Sequence, residues 1–149
     1  MDRKLAGTDI RIPELGVGNW AWGDKSTWGM GSYDAALTEA TIRDAWDACI
    51  ERGVTLFDTA EVYGGGESER IIGRLLGDDA GRRKDVVIAT KFMPLPWKLN
   101  VSSALVDAAK QSIDRMGIEK IDLYQLHGPI SLRGHSALAD AMAAAKQQG

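Results

Sequence analysis

An aspartate and a tyrosine stand five positions apart in "LFDTAEVYGGGESER" (56–70); a lysine follows in "VVIATKF" (86–92) and a histidine in "IDLYQLHGP" (121–129). Asp58, Lys91 and His127 each close an apolar, strand-sized run, and Tyr63 lies on the loop after the first of them. A phenol ordinarily ionises near pH 10, roughly three units too high for easy proton donation at neutral pH. A neighbouring ammonium stabilises phenolate, and a carboxylate paired with that ammonium keeps it charged and in place. A histidine beside the phenol can orient a carbonyl oxygen by hydrogen bonding. Such a group is suited to protonating a carbonyl oxygen while something else attacks its carbon.

Taken singly, each residue has a plainer reading. Asp58 could cap a turn with Thr59, Lys91 could be a solvated loop lysine, His127 could satisfy a turn carbonyl, and Tyr63 could pack under its loop. The coincidence of phase favours chemistry. Strand side chains alternate between faces, so Val54, Leu56 and Asp58 share one face, as do Val87, Ala89 and Lys91, and Leu123, Gln125 and His127. Three polar residues thus end three strands on the same face, at the edge where parallel α/β architectures build their sites.

The runs at 54–60, 85–91 and 121–127 are rich in Val, Ile, Leu and aromatics, which predicts parallel strands buried on both faces. "IPELGVG" (12–18) is a weaker fourth, and "RKLAGTDIRIPEL" reads as a small hairpin turning at Gly7, Thr8 and Asp9. Helical spacing lies between them: Ile42, Ala45, Trp46, Cys49 and Ile50 in 41–53, ending at Gly53, and Ile71, Ile72, Leu75 and Leu76 in 67–77, ending at Gly77. Leu105, Ala109, Ile113 and Met116 follow in 102–117, with Ser102 or Ser103 as cap and Gly117 as stop. Leu138, Met142 and Ala145 mark a last helix. The order β-α-β-α-β-α-β-α, undivided by any linker, predicts one domain over 1–149, and both a doubly wound sheet and a (β/α) barrel fit it. Gly64 to Gly66 read as a turn into the helix at 67, for they match neither the dinucleotide fingerprint nor the P-loop spacing.

Composition narrows the setting. The 149 residues are 44% hydrophobic and 26% charged, with a formal net charge of -3, enough for a real core. Without a basic stripe there is no footing for nucleic acid. No apolar run approaches the roughly 20 residues that span a bilayer, and no signal or transit peptide shows behind "MDRKLAGTDI". A single cysteine leaves no intrachain disulfide framework, and two histidines with one cysteine show no metal-ligand spacing. A reducing, cytoplasmic compartment is expected.

With these motifs in hand, the sequence resembles the aldo-keto reductase family. "LGVGNWAWG" (15–23), "GVTLFDTAEVYGGGESERIIGRLL" (53–76), "VVIATKF" and "IDLYQLHGP" carry the resemblance, which covers the whole chain. "ATKFMPLPWK" looks most like plant and cyanobacterial branches, which admits a plastid location. The family is a (β/α)₈ TIM barrel that reduces aldehydes and ketones with NADPH, sometimes NADH. The resemblance implies that Tyr63 is the general acid, Lys91 assists its ionisation, Asp58 pairs with Lys91, and His127 orients a small carbonyl substrate. Asn19 and Trp20 match positions lining the cofactor and substrate pocket, although Trp20 reads equally well as core; Trp22 and Trp28 are weaker pocket candidates.

Two departures from the family pattern stand out. Gly128 occupies a position where this branch often has tryptophan, which opens the wall beside His127. The sequence ends at "AAAKQQG" after a hairpin and four βα units, a half-barrel without the segments that contact the nicotinamide amide and grip the adenosine phosphate. The expectation is therefore a fragment with open edges and an exposed inner face of Val54, Leu56, Val87 and Leu123. Alone it would be weakly folded, or it would pair with its own copy or a complementary half. A non-catalytic or partner-binding remnant and a barrel lyase using Lys91 as a Schiff-base nucleophile are the alternative readings.

Overall fold

A computed structural model describes residues 3–23, 37–78, 80–128 and 130–148. The amino-terminal hairpin forms as expected. Strand β1 (Arg3–Lys4) pairs antiparallel with β2 (Arg11–Ile12). The turn between them is held by Thr8, whose Oγ1 donates to the Leu5 carbonyl at 2.9 Å and accepts the Ile10 N–H at 3.2 Å.

Four parallel strands follow: β3 (Gly16–Gly18), β4 (Leu56–Asp58), β5 (Val87–Phe92) and β6 (Leu123–Leu126). They neighbour one another in the order β3-β4-β5-β6. A doubly wound sheet reverses direction from an inner strand; here each strand is laid beside its predecessor on the same side, which is barrel order. Helices α1 (Glu39–Glu51), α2 (Glu67–Gly77), α3 (Val101–Met116) and α4 (His135–Gln148) complete the alternation.

The strands are not buried on both faces, as their apolar runs suggested. Phe57, Ile88, Thr90 and Phe92 point to the helix side and are fully buried. On the opposite face Ala89 is buried, while Leu56, Val87 and Leu123 are half-buried, as is Val54 just before β4. This corrects both expectations, full burial and an openly exposed patch. Among the described residues helices cover one face alone, while neighbouring side chains partly shade the other.

The helix-side core has two centres. One gathers Trp22, Trp46, Phe57, Ile71, Ile72, Leu75 and Ile88; the other gathers Phe92, Leu105, Ala108, Leu138 and Ala141. Trp46 and Phe57 lie 4.0 Å apart between ring centroids, with Trp22 6.3 Å from Phe57. Trp22 is thus core and not pocket, and Trp28 lies outside the described residues. Trp46 is 1% exposed, so Trp46→Ala should cost about 3–5 kcal/mol. Urea unfolding monitored by circular dichroism measures it, and a loss below about 1 kcal/mol would show that this cluster does not hold α1 to the sheet.

Helix ends differ from the sequence reading where capping, not apolar spacing, sets them. α1 begins at Glu39, ahead of the apolar repeat, because Thr38 and Thr41 bond each other's backbone N–H in a reciprocal box. α3 is capped by Asn100, whose Oδ1 accepts the Ser103 N–H, and not by Ser102 or Ser103. Its buried stripe runs through Leu105, Ala108, Ser112 and Met116, leaving Ala109 half-buried. The α2 face is the one its apolar spacing predicts: Ile71, Ile72, Leu75 and Leu76 are all buried. At Gly73 a Cβ would fall 2.9 Å from the Arg115 and Met116 carbonyl oxygens, so only glycine lets α2 approach the end of α3 this closely.

Candidate active site

Asp58 ends β4 and Lys91 is the penultimate residue of β5, while His127 follows β6 by one residue, its N–H donating to the Phe92 carbonyl at 2.8 Å. The parallel register sets Asp58 opposite Ala89 and Lys91 opposite Gln125. Asp58 is therefore one alternation short of Lys91. The four-carbon lysine stem spans that gap, and Lys91 Nζ meets Asp58 Oδ2 at 2.7 Å.

The ammonium has three donors, and all have acceptors. Besides Asp58, Nζ donates to the Thr59 carbonyl at 2.8 Å and approaches Tyr63 Oη at 3.3 Å. Tyr63 is brought there by a short 3₁₀ turn, Tyr63–Gly66, in which Gly64, Gly65 and Gly66 all have positive φ. Three successive left-handed residues turn the chain straight into α2, a path that glycine takes without steric cost. The turn is anchored from below. Thr59 Oγ1 donates to Ser68 Oγ at 2.8 Å, and Ser68 Oγ donates to the Asn19 carbonyl at 2.9 Å, all in buried positions.

His127 presents its ring edge-on to Tyr63, with centroids 5.5 Å apart and an interplanar angle of 89°. Burial pushes this imidazole below the usual histidine range, and the Lys91 ammonium pushes it further, against smaller opposing pulls from Asp58 and Glu61. The neutral ring is therefore the form present at pH 7, a hydrogen-bond donor that carries no charge. The depression also has a sign for stability. Between the lower native midpoint and the ordinary value near 6.5, the unfolded chain binds more protons than the native one. Stability should fall as pH drops through that window, and the His127 ring protons should titrate below about 6.5 in an NMR series. A midpoint at or above that value would overturn the assignment.

The four residues expected to converge do so: Asp58, Tyr63, Lys91 and His127 form one contiguous group at the carboxyl edge of the sheet. Trp20 joins it. Its ring centroid lies 6.3 Å from that of Tyr63, and the residue is 41% exposed, a wall position and not core. Asn19 does not reach the surface. It is fully buried, and neither its amide nitrogen nor its amide oxygen has a partner among the described residues. Gly128 has positive φ, and no atom of the described residues lies within 4 Å of where its Cβ would sit. The other described tyrosine, Tyr124, faces the helix side, and burial holds its phenol far above the ordinary range, unfit for proton donation.

Two contributors were missed by sequence reasoning. Gln125 Nε2 donates to Asp58 Oδ1 at 2.9 Å. Glu61 Oε1 accepts the Met93 N–H at 2.7 Å and Lys98 Nζ at 3.0 Å, strapping the loop after β4 to the loop after β5. Gln125 had a legible signal, an amide in an apolar strand on the same face as His127. Glu61 had none, because its partners lie in a loop without periodicity.

Comparison with known proteins places the fold in a family. Residues 14–149 match the model of the aldo/keto reductase family. The chain is 35% identical over 132 residues to a chloroplastic pyridoxal reductase of Arabidopsis thaliana, covering 84% of this chain and 35% of that protein. It superposes on the holo form of an aldo-keto reductase from Bacillus halodurans with a TM-score of 0.75 and 28% identity, over 99% of this chain and 47% of the other. An aldo-keto reductase from Klebsiella pneumoniae in complex with NADPH matches with a TM-score of 0.71 and 27% identity, over 95% of this chain and 44% of the other. The chain thus spans about a third of the curated relative and about half of the solved structures, and its fold is the hairpin and four βα units of their (β/α)₈ barrel.

Proposed function

The chain belongs to the aldo/keto reductase family, and on that premise we propose that it carries the proton-delivery group for NADPH-dependent reduction of an aldehyde or ketone. The observation that carries this reading is the Lys91 ammonium, held by Asp58 at 2.7 Å and 3.3 Å from the Tyr63 hydroxyl. In this reading a substrate carbonyl oxygen accepts hydrogen bonds from Tyr63 Oη and the neutral His127 imidazole. As charge builds on that oxygen the Tyr63 proton passes to it, and the phenolate left behind faces the ammonium. Asp58 holds the ammonium in position.

The residues present are a proton source and a carbonyl-orienting ring, with no reducing group among them, so their chemistry fits a site completed by a hydride carrier. A bound reduced nicotinamide supplies the hydride to the carbonyl carbon. Of the expected cofactor residues, the exposed ring of Trp20 offers a surface for a planar group beside Tyr63. The enclosed Asn19 offers none in this conformation.

The Schiff-base alternative is disfavoured. A nucleophilic amine must be uncharged, yet every Lys91 donor has an acceptor and one of these is a carboxylate. The test is aldehyde-dependent oxidation of NADPH by the chain, with pyridoxal in the panel because the Arabidopsis relative is named for it. Absence of turnover when NADPH has saturably quenched tryptophan fluorescence would leave a remnant that binds without catalysing. The reductase reading would then be abandoned.

A further inference from the structure

Asp58 is held from two strands. Its Oδ2 accepts Lys91 Nζ from β5 at 2.7 Å, and its Oδ1 accepts Gln125 Nε2 from β6 at 2.9 Å. We propose that Gln125 is a positioning residue, which fixes the Asp58 carboxylate so that the Lys91 ammonium is presented to Tyr63. The proposal rests on the reading of Tyr63 as proton donor.

A carboxylate turns easily about its last torsion, which is broad and nearly two-fold. Packing does not lock this one, because the Asp58 side chain is 38% exposed. With one oxygen pinned by the amide, the other is committed to Lys91. Freed of Gln125, the carboxylate can turn toward water, and the ammonium that follows it loses its approach to Tyr63 Oη. Displacements of about 1 Å at a reacting group cost on the order of 10²-fold in rate.

The amide is also the side chain type the place requires. It donates without adding charge, where a carboxylate would repel Asp58 and compete for Lys91, and a lysine would offer Asp58 a second cation. The register leaves little freedom, since Gln125 is the residue paired with Lys91 across β5 and β6. Its reverse orientation would set the amide oxygen against the Asp58 carboxylate oxygen, acceptor against acceptor.

Two variants and two kinds of readout test this. Gln125→Leu should lower kcat for aldehyde reduction by about 10- to 100-fold, by the same displacement argument, with KM within about twofold because uniform binding is untouched. Gln125→Glu should be impaired at neutral pH and recover as pH is lowered, where the introduced acid becomes protonated and can donate to Asp58. The leucine variant should show no such recovery. Wild-type kcat in Gln125→Leu, or a Gln125→Glu profile parallel to wild type, overturns the proposal.

Nitrogen-15 NMR tests the same geometry without turnover. The Gln125 side-chain amide protons should exchange slowly and shift in Asp58→Asn, and the Lys91 ammonium resonance should broaden in Gln125→Leu. A freely exchanging Gln125 amide overturns the proposal. Protected resonances in a chain without turnover support the positioning contact while counting against the reductase reading, so the two fail separately.

Discussion

Tyr63→Phe should lower aldehyde-dependent NADPH oxidation by about 10²–10⁴-fold, the range over which a single positioned acid acts. The substitution removes one oxygen and keeps the ring, so the edge contact with His127 and the tilted contact with Trp20 both survive. Unfolding midpoint and NADPH affinity should therefore stay near wild type while the rate collapses. That split separates a proton donor from a packing residue. Tyr124→Phe is the matching control. Its hydroxyl is buried on the helix side with no hydrogen-bond partner among the described residues, so its loss should change the rate less than about twofold, in line with a residue outside the reacting group. A Tyr63→Phe variant keeping more than a tenth of the wild-type rate would remove Tyr63 from the mechanism.

The second large effect is on stability. Glu69 is fully buried on α2, where its carboxylate accepts Thr90 Oγ1 at 2.6 Å and Arg115 Nε at 2.6 Å. It joins α2, β5 and α3 at one point. Glu69→Ala should destabilise the chain by about 3 kcal/mol, because truncating one partner of a buried pair strands the other. Arg115 is 18% exposed on its side chain and can recover some hydration, which places the value at the low end of that range. Glu69→Gln keeps an acceptor for Thr90 and should cost less. The damage reaches the site as well. A Cβ on Gly66 would fall 2.7 Å from Arg115 Cδ, so the arginine stem forms a wall of the glycine turn that carries Tyr63. Chemical denaturation gives the stability, and hydrogen exchange at Gly64 to Gly66 reports the turn. A loss under about 1 kcal/mol with unchanged exchange would mean that Glu69 is merely tolerated where it is.

The presence of each helix and of strands β4, β5 and β6 was legible from local pattern, because apolar spacing is what a helix face or strand face must satisfy, although the α3 stripe was legible only in part. Helix starts were less so. Asn100 caps α3 although Ser102 and Ser103 are equally plausible by type, and the choice depends on where the incoming loop leaves the chain. Burial of Asn19 was illegible for a similar reason. Nothing in "GVGNWAWG" says that the asparagine folds inward while Trp20 stays at the surface.

Asp58, Tyr63, Lys91 and His127 could be picked out by the sequence alone, because residue type and two-residue alternation are local properties that survive without a fold. Their meeting could not. Lys91 lies 33 residues from Asp58, and Gln125 lies 67 from it; only the order and register of β4, β5 and β6 decide which side chains share an edge. The tertiary structure also chose barrel order over a doubly wound sheet, since helices cover one face of the strands and leave the other to the site. Hydrogen bonds of about 3 Å are selective because they are short. The distances that select them arise when separate strands are laid side by side, and no run of neighbouring residues encodes them.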